Sequence, residues 1–195
     1  MLYFTSDIHF CDPVTFKDDS RPFNNITEYD NYIVKNYNKI VDKNDTLYVI
    51  GDLMDCSNPS SPYWKDAARY IKKIKANIIL IIGNNEQRVI DFFFDSNFDK
   101  FKEYCLSIGI KDVKKDDYLS FGGYNFYLTH KPINHKKEYT NLFGHLHRSR
   151  GLWQSFGINV SCDINHYRPY SEDDILFQLS QKETYWDYDQ NLKLL

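Results

Sequence analysis

No apolar run in this 195-residue chain approaches the roughly 20 residues that a membrane-spanning helix requires, so no membrane partner is expected. A signal-peptide pattern is lacking as well: MLYFTSDIHF has no basic lead and reaches Asp7 within seven residues. The four cysteines, Cys11, Cys56, Cys105 and Cys162, form no Cys-x-x-Cys pair and follow no regular spacing. That scatter fits free thiols in a reducing compartment better than a disulfide framework, and a cytoplasmic location is expected. Neither sign of charge dominates. At a net charge of −3 the chain lacks the basic excess of a general nucleic-acid coat, so long nucleic acid is not expected as a partner. There is no internal repeat, no Pro/Gly/Ser linker and no low-complexity block. Residues 1–195 therefore read as a single domain, long enough for one proper core.

What is present is a soluble globular composition, 42% hydrophobic and 26% charged with both signs interspersed. The 16 tyrosines and 14 phenylalanines are ordinary strand residues, and they read as a sheet-rich core before they read as a base-stacking surface. Leu2–Thr5, Thr46–Ile50 and Ile78–Ile82 are short apolar runs of the kind found in buried strands. Between them, a helix capped by Thr27 is expected from about Glu28 to Val41, and another from about Tyr63 to Lys75. This alternation describes a parallel α/β half. The second half changes character. Strands at Tyr118–Phe121 and Tyr124–Thr129 flank Gly122-Gly123, a two-residue hairpin signal. Further strands are expected at Thr140–Phe143 and Ile158–Ser161, and a closing helix near Ser171. The tail from Tyr185 to Leu195 is ambiguous.

The reactive side chains fall just past the carboxyl ends of these runs. Asp7-Ile8-His9 follows the first strand, Gly51-Asp52 the second, Gly83-Asn84-Asn85-Glu86 the third, His130 the hairpin and Gly144-His145-Leu146-His147 the next strand. That edge is where open α/β sheets bind ligands. The set offers oxygen and imidazole donors without thiolate, which suits Mn, Fe, Zn, Ni or Co. On extended segments, Asp-x-His and His-x-His would each turn alternate side chains to one side, so that both could reach one ion. Each piece is weak alone; five in this order make a metal site the better reading.

The joint pattern resembles the calcineurin-like metallophosphoesterase superfamily, whose signature runs D-x-H, G-D, G-N-H-[DE], H and G-H-x-H. Small stand-alone bacterial and phage members look closer still. They share TSDxHF, an RPF like Arg21-Pro22-Phe23, and NVSxD…YRP, here Asn159–Asp163 with Tyr167-Arg168-Pro169. The resemblance implies an α/β/β/α sandwich of two mixed sheets holding two divalent ions in a shallow cleft, manganese first among the choices. It implies that Asp7, His9 and His147 hold one ion, that Asn84, His130 and His145 hold the other, and that Asp52 bridges them. The implied reaction is hydrolysis of a phosphate mono- or diester, nucleotide or cyclic nucleotide in character, by a hydroxide activated between the ions. Asp52, Asn85 and His130 stand nearest the implied chemistry. Asn84, with Arg21 and Arg168 as guanidinium clamps, is expected to touch substrate. Asp163 is read either as a partner of a ligating histidine or as a turn residue, and Asp12 as a turn residue that could reach the cleft.

One position departs from the family. Asn85 stands where the superfamily has His, and an amide can donate a hydrogen bond but cannot transfer a proton. Three readings stay open: a preference for good leaving groups, a proton from His135 or His166, or a weakly catalytic or non-catalytic nucleotide-binding or interaction protein that keeps the metal site. Cys11 near the first motif is read as an inert buried thiol, with oxidation sensitivity as the alternative.

Overall fold

The computed structural model describes residues 1–55, 63–148, 153–154 and 157–188; Cys56 and the end of the ambiguous tail lie outside them. The elements, in chain order, are β1 (Leu2–Thr5), α1 (Pro13–Asp18), α2 (Ile26–Tyr37), β2 (Thr46–Ile50), α3 (Tyr63–Asp66), α4 (Ala68–Ile71), β3 (Asn77–Ile81), α5 (Asn84–Phe93), α6 (Phe98–Ser107) and β4 (Asp112–Lys114). Then come β5 (Asp117–Phe121), β6 (Tyr124–Leu128), β7 (Thr140–Phe143), β8 (Trp153–Gln154), β9 (Gly157–Asn159), β10 (Tyr170–Ser171) and α7 (Glu172–Tyr188).

The strands form two mixed sheets with flanking helices, an α/β architecture. The first sheet runs β10-β1-β2-β3-β4, all parallel except β10. The second runs β5-β6-β7-β9-β8, with parallel neighbours in the middle and antiparallel strands at both edges. Period-two alternation along β2 explains how the layers stack. Leu47 and Val49 join Tyr3, Ile78 and Leu80 in a core under α2, α4, α5 and α6, where Tyr29, Ile33, Ile71, Val89 and Phe101 are buried. Tyr48 and Ile50 face the other way and meet Phe126, Leu128, Leu142 and Ile158 of the second sheet. Phe4 stacks on Tyr48 and Phe121 in this inter-sheet layer, and Ile175 and Leu179 of α7 join it. Fully burying each such side chain is worth roughly 1.5–3 kcal/mol, which makes the central strands, apolar on both faces, the anchor of the fold.

Local chemistry sets the ends of the elements. At the β5–β6 hairpin Gly122 and Gly123 both take positive φ (57° and 82°), the two-residue turn that glycine permits. Helix α2 starts two residues earlier than expected and is capped by Asn25, not Thr27, because the Asn25 side chain accepts from the Glu28 N–H at 2.9 Å. The single helix expected at 63–75 is instead two short ones. Past Ile71 the chain tightens into three-residue turns, Lys73 to Tyr70 and Ile74 to Ile71, and Asn38 pins them through Lys73 O and Lys75 N. Ser171 caps the first turn of α7 through its hydroxyl on the Asp174 N–H. Among the described residues no helix is long and apolar enough to cross a membrane.

Candidate metal centre

The polar site lies at the seam where the carboxyl ends of β1, β2 and β3 meet those of β6 and β7. Past β1 the chain crosses to the turn after β2, with Asp7 N–H donating to Gly51 O at 3.0 Å, His9 N–H to Asp52 O at 2.9 Å and Phe10 N–H to Leu53 O at 2.9 Å. These segments are not extended. Asp7, His9, Asp52, His145 and His147 all take positive φ, between 45° and 70°, a conformation that costs a non-glycine residue about 1–2 kcal/mol. The expectation that alternation along a strand aims both side chains of each x-spaced pair at one ion is therefore corrected for the histidines. The turn sends His145 and His147 to different clusters.

Two groups of donor atoms result, each with its members within 4.8 Å of one another: Asp7, His9 and His147 in one, Asp52, His130 and His145 in the other. Asn84 joins the second, its Oδ1 standing 3.1 Å from His130 Nε2. One oxygen, Asp52 Oδ2, faces both groups, 3.6 Å from His9 Nε2 and 3.5 Å from His130 Nε2. The structure thus brings together all seven residues singled out as ligands.

Three of the four rings are held by their Nδ1 side. His9 Nδ1 lies 3.0 Å from Asp12 Oδ2, His130 Nδ1 2.8 Å from Ile50 O, and His147 Nδ1 3.1 Å from Asp163 Oδ2 and 2.6 Å from Asp19 Oδ2. In the neutral ring an acceptor on Nδ1 fixes the tautomer and leaves the Nε2 lone pair aimed at the seam. His9 Nε2 is buried and makes no hydrogen bond, the kind of orphan that a bound cation explains. With an oxygen-and-imidazole donor set around it, divalent ions fit these residues. Asp12 is thus more than the turn residue expected. Its other oxygen caps α1 at Val14 and Thr15 while this one orients His9.

The electrostatics show how tightly the carboxylates and imidazoles oppose each other. Burial works to raise the Asp52 carboxyl, but His130, His9 and the Asn85 N–H outweigh it and hold Asp52 well below the usual carboxylate range. Burial likewise lowers His130, yet Asp52 beside it wins and pushes the ring up to about 9. At His147 burial is outweighed by Asp163 and Asp19, which raise it to about 10. His145 goes the other way, lowered by burial, by His130 and in small part by Lys131.

Arg21 is corrected. It is 4% exposed, and its guanidinium is engaged inside the protein: Nη1 donates to Ile8 O and Nη2 to Asp7 O, both at 2.8 Å, while Nε and Nη2 donate to the two oxygens of Asp163 at 3.0 Å. Four of its five N–H groups are spent inside the protein, which leaves no pair of donors to clamp a phosphate; the residue braces the Asp7–His9 turn and, through Asp163, His147. Phe23 of the same motif packs on Tyr29, Tyr32 and Tyr167, so the two outer sequence motifs pin each other. Arg168 is exposed, and among the described residues no hydrogen bond or ion pair ties its side chain to either donor group. His135 bonds Pro132 O, and neither it nor His166 joins the groups. Cys11, Cys105 and Cys162 are free and buried; burial and Asp30 push the Cys11 thiol up to about 12, the inert state.

Asn85 sits at the centre of the seam, 4% exposed. Its amide nitrogen is 3.2 Å from both Asp52 Oδ2 and His9 Nδ1, and its oxygen accepts from Arg88 at 3.3 Å. Glu86, the acid of the G-N-H-[DE] signature, turns to the backbone. Fully buried, it accepts from the N–H groups of Gly83, Asp52, Leu53 and Met54 at 2.8–3.2 Å and ties the β2 turn to the start of α5. Three glycines complete the seam. A Cβ on Gly51 would stand 2.3 Å from His130 Nδ1, one on Gly83 2.2 Å from Asp52 Oδ1, and one on Gly144 2.6 Å from Asp7 Oδ2.

An α/β sandwich that gathers carboxylate, amide and imidazole donors at its strand ends is built for divalent-ion chemistry. The chain belongs to the calcineurin-like phosphoesterases, whose family model matches residues 2–191. It is 29% identical over 193 residues to an uncharacterized protein of Methanocaldococcus jannaschii, covering 93% of this chain and 92% of that one. A crystal structure of a protein of unknown function from Aquifex aeolicus shares the fold, with a TM-score of 0.60, 22% identity, and 91% of this chain and 98% of that chain covered. Membership in the family supports a metal-dependent phosphoesterase.

Proposed function

We propose that the chain hydrolyses a phosphate mono- or diester of nucleotide-like chemistry with a pair of divalent ions, manganese before iron, zinc, nickel or cobalt. The observation carrying this reading is the one carboxylate oxygen, Asp52 Oδ2, that lies between His9 Nε2 at 3.6 Å and His130 Nε2 at 3.5 Å. In this reading Asp7, His9 and His147 hold one ion, Asn84, His130 and His145 the other, and Asp52 serves both. Ions bound there would supply an activated water and offset charge on the phosphate oxygens. The chain's own contribution is to hold the donors. Asp12, Ile50 O and Asp163 fix the rings, Ser6 and the His145 N–H hold the Asp7 carboxylate, and Glu86 fixes the turn bearing Asp52. Asn85 can offer an N–H to a substrate oxygen at the seam but no transferable proton. Leaving groups that depart unprotonated, such as those of aryl esters or phosphoanhydrides, are therefore favoured.

The test is turnover of bis(p-nitrophenyl) phosphate beside elemental analysis. Asp52→Asn and His145→Ala are expected to lower turnover at least 100-fold and to reduce bound metal. Unchanged turnover and metal content in both variants overturn the reading. Asn85, tied to Asp52 and Arg88, favours one second reading, a slow or non-catalytic nucleotide-binding protein that keeps the ions. Tight nucleotide binding without phosphate release would single it out.

A further inference from the structure

Beside the second donor group lies a cleft of about 280 Å³, at the small end of ligand-binding pockets, that neither the ligand set nor its bracing residues explain. Asn84 and His130 form the wall it shares with the metal centre; Gln87, Lys115, Lys131 and Asn134 supply the rest of its polar lining. No carboxylate lines it, although the chain carries 27 acidic residues. The two lysines come from separate turns, Lys115 just past β4 and Lys131 just past β6, and both are exposed. Neighbouring lysines are engaged: Lys114 pairs with Asp117, Lys102 with Asp112, and Lys136 lies over the rings of Tyr118 and Tyr127. Among the described residues neither Lys115 nor Lys131 makes an ion pair, and Lys115 has only a 5.7 Å approach to the Phe98 ring.

Two ammonium groups without counter-ions, beside amide side chains and next to a phosphate-hydrolysing centre, are matched by a second phosphate. We propose that this cleft binds a phosphate group of the substrate other than the one being hydrolysed, so that the enzyme prefers phosphate esters carrying two phosphates. The proposal rests on the phosphoesterase reading above and narrows its substrate class.

The manganese-loaded protein would be assayed on thymidine 5′-(p-nitrophenyl phosphate) and on the same ester bearing a 3′-phosphate. Wild type is expected to favour the 3′-phosphorylated ester at least tenfold in kcat/KM. In the Lys115→Ala/Lys131→Ala double variant that preference is expected to fall below threefold, while Lys131→Arg alone retains it. Equal discrimination in wild type and double variant, or none in wild type, overturns the proposal. Calorimetry with thymidine 3′,5′-bisphosphate and thymidine 5′-monophosphate separates the two readings. If neither ester is cleaved and no phosphate is released from the 3′-phosphorylated one, the phosphoesterase reading fails. The cleft then stands only if the bisphosphate binds at least tenfold more tightly and the double variant loses that margin; equal affinities overturn it.

Discussion

Arg21 and Asp163, 142 residues apart in sequence, meet as a two-bond pair behind the metal centre, Nε and Nη2 each donating to a carboxylate oxygen at 3.0 Å. The same carboxylate accepts from His147 Nδ1, and the same guanidinium caps the carbonyls of Asp7 and Ile8. One buried cation thus fixes a ring of the donor groups and a donor-bearing turn together.

Asp163→Asn is expected to weaken metal binding by about 10–100-fold, because the imidazole loses its charged partner while its ligating nitrogen survives. Arg21→Met removes two charge-assisted bonds from the buried Asp163 carboxylate and leaves it to His147, and is expected to cost roughly 3–5 kcal/mol in urea unfolding. A variant as stable as wild type with full metal content would deny Arg21 this bracing role.

Glu86→Gln keeps the shape and removes one acceptor oxygen. Burial, followed by the nearby Asp52 carboxylate, raises the Glu86 carboxyl, while backbone N–H groups draw it down. With four N–H groups converging on it, the amide strands at least one of them, and a loss of roughly 1–3 kcal/mol is expected, again read by urea unfolding. Bound metal should fall in parallel, since the Asp52 turn is released.

Asn85→His restores a group able to protonate a leaving oxygen. General acid catalysis is typically worth about 10²–10⁴, so alkyl phosphate esters should gain more than aryl esters. Equal gains on both, measured as kcat, would deny this position any part in proton transfer.

Asp30 is buried against the Cys11 N–H, and burial pushes its carboxyl up to about 7 despite the bonds from Cys11. Its folded pKa lies above the unfolded value, so its contribution is fully present below about pH 4 and is lost as pH rises through 7. Asp30→Asn should therefore match or trail wild type at pH 5 and melt higher at pH 8. The displacement from 3.8 to about 7 sets an upper limit on the order of 4 kcal/mol. A pH-independent difference in Tm would count against this account.

Chelation should lower Tm and manganese should restore it, because ions bound only by the folded state stabilise it by about 2.7 kcal/mol at a hundredfold excess over Kd. Asp52→Asn should shrink that response. Identical melting with chelator and with manganese would contradict ion binding at the seam.

Much of this was legible beforehand because donors placed just past apolar runs are placed by the strands themselves. β1 and β2 occupy the expected residues, and the donors that follow them converge. What stayed hidden depends on long-range closure. Arg21 looks like a phosphate clamp until Ile8 O, Asp7 O and Asp163 close around it, and nothing in the sequence shows that Glu86 will hold the β2 turn. The helix at 63–75 failed for a similar reason, as Asn38 from another element pins a tight turn where periodicity alone would continue. α5, α6, β4, β8 and β10 carried no comparable signal. The positive φ values at Asp7, His9 and Asp52 could not be read from spacing, since they accompany the crossing of the β1 and β2 turns.

The glycines at positions 51, 83 and 144 each leave a hollow filled by a donor from a different stretch of chain, His130, Asp52 and Asp7 in turn. The centre is consequently keyed like a puzzle box, with each piece locked by another that arrives from elsewhere. A single methyl at any of the three would dislodge a donor the mutated turn does not itself carry, so damage at one sequence motif would surface as a defect in its neighbour.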